Sequence, residues 1–306
     1  MTLLSNQSLI FMEKVKFIAE ISSNHNRDLN RMKELIYASK KSGCSGIKFQ
    51  LFKVDKLFSP EILAKSEVHR KRKAWELPEE FIPELADLTH KLGLKFSCTP
   101  FYLEAVDILE PHVDFFKVAS YELMWLDLFD KCGNTGKPVV FSTGMATMDE
   151  VEDTLRCLFK TACKEITILH CNSAYPTPVE DTNLAGIEVL RKMVNSIEKP
   201  DDIIIKVGYS DHTVSTAVMY RTVHHYGVDL IEFHIDLDGR GEEYKTGHCW
   251  LPDEIAEVIN NINVGFKSDG QGGFEPSSSE LQDREWRADP IDGLRPLKHI
   301  RDSSGK

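Results

Sequence analysis

Two histidines stand at the ends of consecutive apolar runs, His212 in YSDHT and His234 in IEFHI. Side chains alternate along a strand, so Ser210 shares a face with His212, and Glu232 shares one with His234. If the two strands are neighbours, both imidazoles can point inward at the same height. Two imidazoles with open positions beside them suit a divalent first-row metal ion, which can polarise a substrate carbonyl. The alternative is a pair of hydrogen-bonded structural histidines.

Other apolar runs also end in polar side chains, although buried parallel strands are expected to be almost entirely apolar. These strand-end residues include Glu20, Lys48, Thr99, Lys117, Ser120, Ser142 and Ser210. An inward pair formed by Lys48 and Lys117, with serine hydroxyls beside it, would make a cationic pocket for phosphate or carboxylate. The alternative pairs these lysines with Glu20 and Glu122 as buried ion pairs.

Eight short apolar runs alternate with longer amphipathic segments. The predicted strands are 16–22, 46–52, 95–101, 114–120, 138–144, 165–171, 203–212 and 230–237. Helices are predicted over 29–43, which ends at Gly43, and over 147–162, where Thr147 and Glu150 have capping-box spacing. This alternation predicts an α/β (β/α)8 TIM barrel, with its site at the carboxyl ends of the strands. A doubly wound sheet is the alternative, but no G-x-G-x-x-G follows the first strand.

The predicted barrel domain spans residues 1–266, and an irregular tail rich in Gly, Ser, Pro and charge spans 267–306. Residues 53–80 form a basic-containing insertion, in which the run at 69–73 is interpreted as solvated surface. The net charge of −11 argues against nucleic acid as a partner. Neither a signal peptide nor a run of about 20 apolar residues is found, so we expect a cytoplasmic protein without membrane contact. The seven cysteines are expected to be reduced.

Seven segments resemble the sialic acid (N-acetylneuraminate) synthase family, which includes synthases of legionaminic and pseudaminic acids. They are FIAEISSNHNRD, IKFQLF, FSCTPF, FKVASYEL, KPVVFSTGMATMDEV, LHCNSAYPTPVEDTNL and GYSDHT, which lie in the family's order within about residues 15–265. The resemblance implies a TIM barrel that condenses phosphoenolpyruvate with an N-acetylmannosamine-like sugar. It also implies a divalent metal, with Mn²⁺ expected and Mg²⁺ or Co²⁺ as alternatives.

The resemblance assigns roles to individual positions. His212 and His234 correspond to the metal ligands, and Glu20 and Glu122 to acidic groups near the metal-bound water and the sugar aldehyde. The residues that correspond to phosphoenolpyruvate-binding positions are Lys48, Thr99, Lys117, Ser120, Ser142 and Ser210. Tyr175 and Ser173 correspond to positions that contact the sugar.

The chain departs from the family pattern at several positions. Arg27 replaces a usual glycine, and Ser173 stands where some members have a substrate-contacting asparagine. A GPDH-like stretch is replaced by DLDGRGEEYKTGHCWLPDE. Glu243, Lys245 and His248 of this segment are therefore expected to meet a different sugar, with His248 as a third metal ligand as the alternative.

Family members usually carry a C-terminal antifreeze-like domain that places an arginine in the partner subunit's site. The sequence is too short after residue 266 to contain such a domain, so we expect it to be absent. The tail arginines that could substitute for that residue are Arg284, Arg287, Arg295 and Arg301. Homodimer formation is left open.

Three other functions stay open from the sequence. The first is a synthase of the 3-deoxy-octulosonate or heptulosonate type, which acts on a phosphorylated aldose. The second is a metal-dependent hydrolase, because two histidines on barrel strands also suit water activation. The third is a non-catalytic homologue that binds a sugar.

Overall fold

The computed structural model describes residues 15–270 and 272–303. In this part of the chain, parallel strands follow one another in sequence order, and the first pairs with the eighth to close a barrel. The strands are β1 Lys16–Glu20, β2 Gly46–Leu51, β3 Lys95–Pro100, β4 Phe115–Val118, β5 Val139–Ser142, β6 Glu165–Cys171, β7 Ile204–Asp211 and β8 Leu230–Ile235. A short β9, Cys249–Trp250, pairs with β8. The predicted (β/α)8 TIM barrel is confirmed.

Helices connect the barrel strands and continue after them. They are α1 Leu29–Lys41, α2 Val54–Leu57, α3 Pro60–Lys65, α4 Glu67–Lys71, α5 Ile82–Lys91, α6 Leu103–Leu109, α7 Leu126–Asn134, α8 Met148–Leu158, α9 Gly186–Ser196, α10 Thr216–His224, α11 Pro252–Ser268 and α12 Lys298–Ser303. Short 3-10 helices lie at Ser22–His25, Arg72–Trp75, Glu79–Phe81, Ser120–Glu122, Val179–Asp181, Tyr244–Thr246 and Arg284–Trp286.

Local sequence signals define the ends of the two helices predicted in detail. The face of α1 that the sequence predicts to be apolar is buried, and Gly43 adopts the left-handed conformation just past the helix end. In α8, the Thr147 side chain accepts from the Glu150 backbone N–H and the Glu150 carboxylate accepts from the Thr147 N–H, so the capping box is confirmed.

An apolar layer lies inside the barrel, below the polar strand ends. Its members are Ile18, Val140, Leu169 and Leu230, with Phe115 packed against them. All of them except Leu169, which stands two residues before Cys171, stand two residues before a polar strand-end residue, so both layers come from the same inward-facing set. Gly208 keeps this layer close-packed, because a Cβ there would lie 2.5 Å from the Leu230 carbonyl oxygen.

Residues 53–80 contain α2, α3, α4 and two 3-10 turns. Ser66 caps α4, and the guanidinium of Arg72 lies 5.5 Å from the Phe58 ring centroid. The described residues divide into two compact units between Asn263 and Val264. The second unit is mostly turns, apart from the end of α11 and the short helices near its own end. Within the described residues, we find no helix with the length and hydropathy of a membrane span.

Candidate active site

The register of the barrel strands brings the predicted site residues to one end of the barrel. Glu20 pairs with Lys48 of β2 on one side and with His234 of β8 on the other. The residues that lie on strands are Glu20, Lys48, Thr99, Lys117, Ser142, Ser210 and His234. Those that follow a strand directly or lie in its loop are Ser120, Glu122, Ser173, Tyr175 and His212. Apart from Lys48, which lies in the middle of β2, these residues lie near or just beyond the carboxyl end of a strand.

Two buried lysines and two buried carboxylates form a cluster inside the barrel, here called the lysine cluster: Glu20, Lys48, Lys117 and Glu232. Lys48 forms an ion pair with Glu20, and its Nζ lies 3.2 Å from the Thr99 hydroxyl. Glu232 lies between the lysines, 4.0 Å from Lys48 Nζ and 3.7 Å from Lys117 Nζ. Burial lowers the pKa of Lys48 to about 8 despite the attraction of Glu232.

The lysine cluster has features of both predictions made for these lysines, the cationic pocket and the buried ion pairs. The alternative that pairs Lys48 with Glu20 describes this structure, whereas Lys117 has Glu232, not Glu122, as its nearest acidic partner. Glu232 was not among the predicted site residues. Burial acts to raise its pKa, but Lys117 and Lys48 hold that pKa below the usual range. Strand parity, which places Glu232 on the face of His234, was the signal that could have identified it.

Three serine hydroxyls converge where the loops after β4, β5 and β6 meet. The Gly144 backbone N–H donates to Ser120 Oγ at 3.1 Å, and a Cβ on Gly144 would lie 2.0 Å from Ser173 Oγ. The hydroxyls of Ser142 and Ser173 are buried and have no hydrogen-bond partner among the described residues. Unpaired buried donors are costly, so this hydroxyl cluster (Ser120, Ser142 and Ser173) fits a site that holds an anion's oxygens.

His212 and His234 lie side by side, with ring centroids 5.2 Å apart. The Tyr175 ring packs on His212, with centroids 4.1 Å apart. Nδ1 of His212 donates to the Asn172 carbonyl oxygen at 2.8 Å, and Nδ1 of His234 to Glu243 Oε2 at 2.9 Å. These acceptors carry no proton, so the Nε2 lone pair of each neutral ring is available. Burial, followed by the charge of neighbouring His234, lowers the pKa of His212 to about 3.

This arrangement fits a divalent metal ion. Metal-binding histidines typically donate their second ring nitrogen to a carbonyl or carboxylate, as both rings do here. Two imidazoles that share an ion at about 2.1 Å have centroids roughly 4.5–5.5 Å apart, which includes the observed separation. His212 and His234 therefore have the tautomers, burial and spacing that an ion requires.

The loop after β8 brings Glu243, His248 and Cys249 to His234. One ligand atom from each of these four residues lies within 4.8 Å of the others. Asn24 fixes the loop: its Oδ1 accepts from the Glu243 backbone N–H at 2.9 Å, and its amide donates to the Ile235 carbonyl oxygen. The sequence had assigned Glu243 and His248 to the acceptor sugar and had not singled out Asn24. No periodicity predicts this loop contact.

A cavity of about 310 Å³ lies between the loops that follow β5 and β6 and the helices α8 and α9. Its lining includes Met145, His170, Asn172 and Asp181. Its size lies at the lower end of the range for small-molecule sites. Its lining includes neither His212 nor His234, so this cavity is separate from the histidine pair, to which only the Asn172 carbonyl oxygen connects it.

Glu122 is a predicted site residue whose pKa is shifted toward the neutral, protonated form. Burial raises its pKa to about 7, although Lys117 acts to lower it, and Oε2 is buried without a hydrogen bond to any described residue. The unfolded chain releases this proton near pH 4.5, and the folded chain near pH 7. Between these values the folded state holds more protons, so stability is lost as pH rises through this window.

The Glu122→Gln substitution is expected to remove the fall in stability between pH 5 and pH 8. The difference in unfolding free energy, variant minus native, should therefore be about 1–3 kcal/mol larger at pH 8 than at pH 5. Urea unfolding at both pH values measures the difference, and exposed Glu110→Gln is the control. An equal effect of Glu122→Gln at both pH values would mean that the carboxyl has an ordinary pKa.

Comparison with known proteins identifies relatives along most of the chain. Residues 35–273 match the NeuB family. An uncharacterized protein of Methanocaldococcus jannaschii is 39% identical over 269 residues, which are 88% of this chain and 76% of that protein. The N,N'-diacetyllegionaminic acid synthase of Legionella pneumophila is 32% identical over 282 residues, 86% of this chain and 76% of the synthase.

The crystal structure of the N-acetylneuraminic acid (sialic acid) synthetase from Leptospira borgpetersenii, in complex with citrate, has the same fold. It superposes with a TM-score of 0.73 at 27% identity, over 89% of this chain and 91% of the synthetase. These relatives confirm the prediction of a transferase that forms carbon–carbon bonds. Because the family match and the first relatives cover most of its length, the chain belongs to the NeuB family.

Proposed function

We propose that this enzyme condenses phosphoenolpyruvate with an N-acetylmannosamine-like hexose, carrying one or two acetamido groups, to give a nonulosonic acid and phosphate. The observation that carries the proposal is that the lysine cluster, the hydroxyl cluster and the histidine pair share one barrel mouth. A cationic, donor-rich site suits the anionic substrate, and neutral histidines suit the aldehyde-activating ion.

Phosphoenolpyruvate carries a phosphate and a carboxylate, and both groups have matching donors here. Lys48 and Lys117 supply positive charge inside the barrel, together with the hydroxyls of Thr99 and Ser210. In the hydroxyl cluster, Ser142 and Ser173 supply donors that have no hydrogen-bond partner among the described residues. Ion pairs with Glu20 and Glu232 orient the two lysines before the substrate binds.

His212 and His234 would hold the divalent ion, with Mn²⁺ expected and Mg²⁺ or Co²⁺ as alternatives. When bound, the ion supplies Lewis-acid polarisation of the sugar's aldehyde oxygen. Asn172 and Glu243 orient the two rings through their Nδ1–H groups. The Tyr175 ring packs on one face of His212.

The reaction joins carbon 3 of phosphoenolpyruvate to the aldehyde carbon, and water then adds at carbon 2 before phosphate leaves. A carboxylate must orient this water and accept a proton from it. Both carboxylates have a buried oxygen without a hydrogen bond to any described residue, but Glu20 forms an ion pair with Lys48, whereas burial raises the pKa of Glu122 to about 7. Glu122 is therefore the better candidate for the base.

The barrel mouth beside the histidines is the proposed position of the acceptor sugar. Tyr175 and Ser173 come from the loop after β6, as the family resemblance implies for residues that contact the sugar. The Tyr175 ring packs on His212, and the Ser173 hydroxyl is buried without a hydrogen-bond partner among the described residues. An aromatic ring and a hydroxyl together suit an acetamido hexose, which presents hydroxyls and methyl groups.

Phosphate release tests the proposal. The protein is incubated with phosphoenolpyruvate, Mn²⁺ and a panel of 2-acetamido and 2,4-diacetamido hexoses, alongside phosphorylated aldoses. Release with a free acetamido sugar, abolished by chelation, is expected. Release only with phosphorylated aldoses would indicate the octulosonate or heptulosonate type of synthase. Turnover without phosphoenolpyruvate would indicate a hydrolase, and binding without a product would indicate a non-catalytic homologue.

A further inference from the structure

His248 is a third histidine at the same site, although it belongs to the loop after β8 and not to a barrel strand. Its side chain is buried, and its ring centroid lies 4.6 Å from that of His234 and 6.2 Å from that of His212. Rings that share an ion at about 2.1 Å lie roughly 4.5–5.5 Å apart when adjacent and up to about 6.5 Å apart when opposite. The centroid separations fit rings around one ion, with His212 and His248 as the opposite pair. The ligand atoms that already lie within 4.8 Å of one another come from His234, Glu243, His248 and Cys249, so His212 is the more distant ring.

The hydrogen bonds around His248 determine which nitrogen is available. The Thr246 hydroxyl lies 2.6 Å from the Glu243 carbonyl oxygen and 2.6 Å from His248 Nδ1. The hydroxyl has one proton, which it donates to the carbonyl oxygen, so it accepts from His248 Nδ1–H. The lone pair of His248 is therefore on Nε2. His248 repeats the pattern of His212 and His234, in which Nδ1 donates and Nε2 is available.

Nε2 of His248 is buried and makes no hydrogen bond with any residue in the described part of the chain. It faces Glu243 Oε2 at 3.4 Å. A nitrogen lone pair and a carboxylate oxygen repel each other at this distance unless a proton or a metal cation lies between them. The nearby Cys249 thiol is already engaged, because Asn24 Nδ2 donates to its sulfur at 3.4 Å.

We propose that His248 Nε2 is a third imidazole ligand of the divalent ion held by His212 and His234, with the Glu243 carboxylate beside it. The inference rests on the proposed metal site but not on the identity of the acceptor sugar. It predicts that the protein binds its ion without substrate, because the loop between β8 and β9 adds a ligand that the barrel strands lack.

Metal binding by the substrate-free protein tests this role. The full chain is stripped with a chelator and titrated with Mn²⁺, and free Mn²⁺ is followed by electron paramagnetic resonance. His248→Ala is expected to raise the dissociation constant at least about 10-fold. His225→Ala, which removes an exposed histidine outside the site, and Cys249→Ala should stay within about 2-fold of the native chain.

Near-UV circular dichroism shows whether each variant is folded. If His248→Ala is not folded, the Mn²⁺ affinity of His248→Gln, which keeps a similar side-chain volume, is measured in its place. Native affinity in a folded His248 variant would overturn the proposal, as would a loss in Cys249→Ala without one in the His248 variants. Phosphate release is measured separately on the native chain. If metal binding depends on His248 but phosphoenolpyruvate is not consumed, the proposed function fails while the metal ligand stands.

Discussion

Replacing His212 with alanine is expected to lower phosphoenolpyruvate-dependent phosphate release by roughly 10²–10³-fold or more, while the barrel stays folded. Removing one group that stabilises developing negative charge has effects of this size. The fold should survive because His212 follows β7 and its ring contacts other groups of the site. These are the Asn172 carbonyl oxygen, the Cys171 sulfur and the rings of Tyr175, His234 and His248. The measurements are kcat/KM with saturating Mn²⁺ and the far-UV circular dichroism spectrum.

His225→Ala is the matched control for this substitution, since that histidine is exposed and packs on Tyr226. It should leave kcat/KM unchanged. A His212→Ala variant that turns over normally, or that remains fully active after chelation, would remove His212 from the metal site. The hydrolase and synthase functions would then both lose their activating group.

The Lys48→Met substitution is expected to lower the unfolding free energy by about 3–5 kcal/mol and to prevent phosphoenolpyruvate binding. The amine is buried against Glu20 and lies 4.0 Å from Glu232. Without it, both carboxylates stay buried and lose a positive partner, and breaking a buried pair in this way typically costs about that much. Urea unfolding and isothermal titration with phosphoenolpyruvate measure the two effects.

A double substitution separates the ion pair from the anion site. Lys48→Met with Glu20→Gln should recover part of the lost stability, because one buried charge is removed, but it should not recover phosphoenolpyruvate binding. The exposed pair formed by Lys95 and Asp114 offers a control, and Lys95→Met should cost less than about 1 kcal/mol. If Lys48→Met unfolds at the native urea concentration, the lysine cluster does not stabilise this barrel.

The periodicity of the sequence determined the barrel and much of its site. Alternating apolar runs and amphipathic segments predicted eight strands, and the structure has them with ends within a few residues. Strand parity also placed Lys48, Lys117 and His234 inside, because inward positions recur every second residue. Gly43 and the Thr147–Glu150 box fixed helix ends through interactions within a few residues. All of these signals are local.

Tertiary structure alone decided which inward groups are partners. Lys117 lies nearest to Glu232 and not to Glu122, since the register of β7 and β8 brings Glu232 into the barrel centre. Glu243 and His248 reach His234 because Asn24, more than 200 residues earlier in the chain, holds their loop. An irregular loop has no periodicity that reports where it folds back. Composition and spacing therefore determined the scaffold, while long-range contacts determined the immediate surroundings of the histidines.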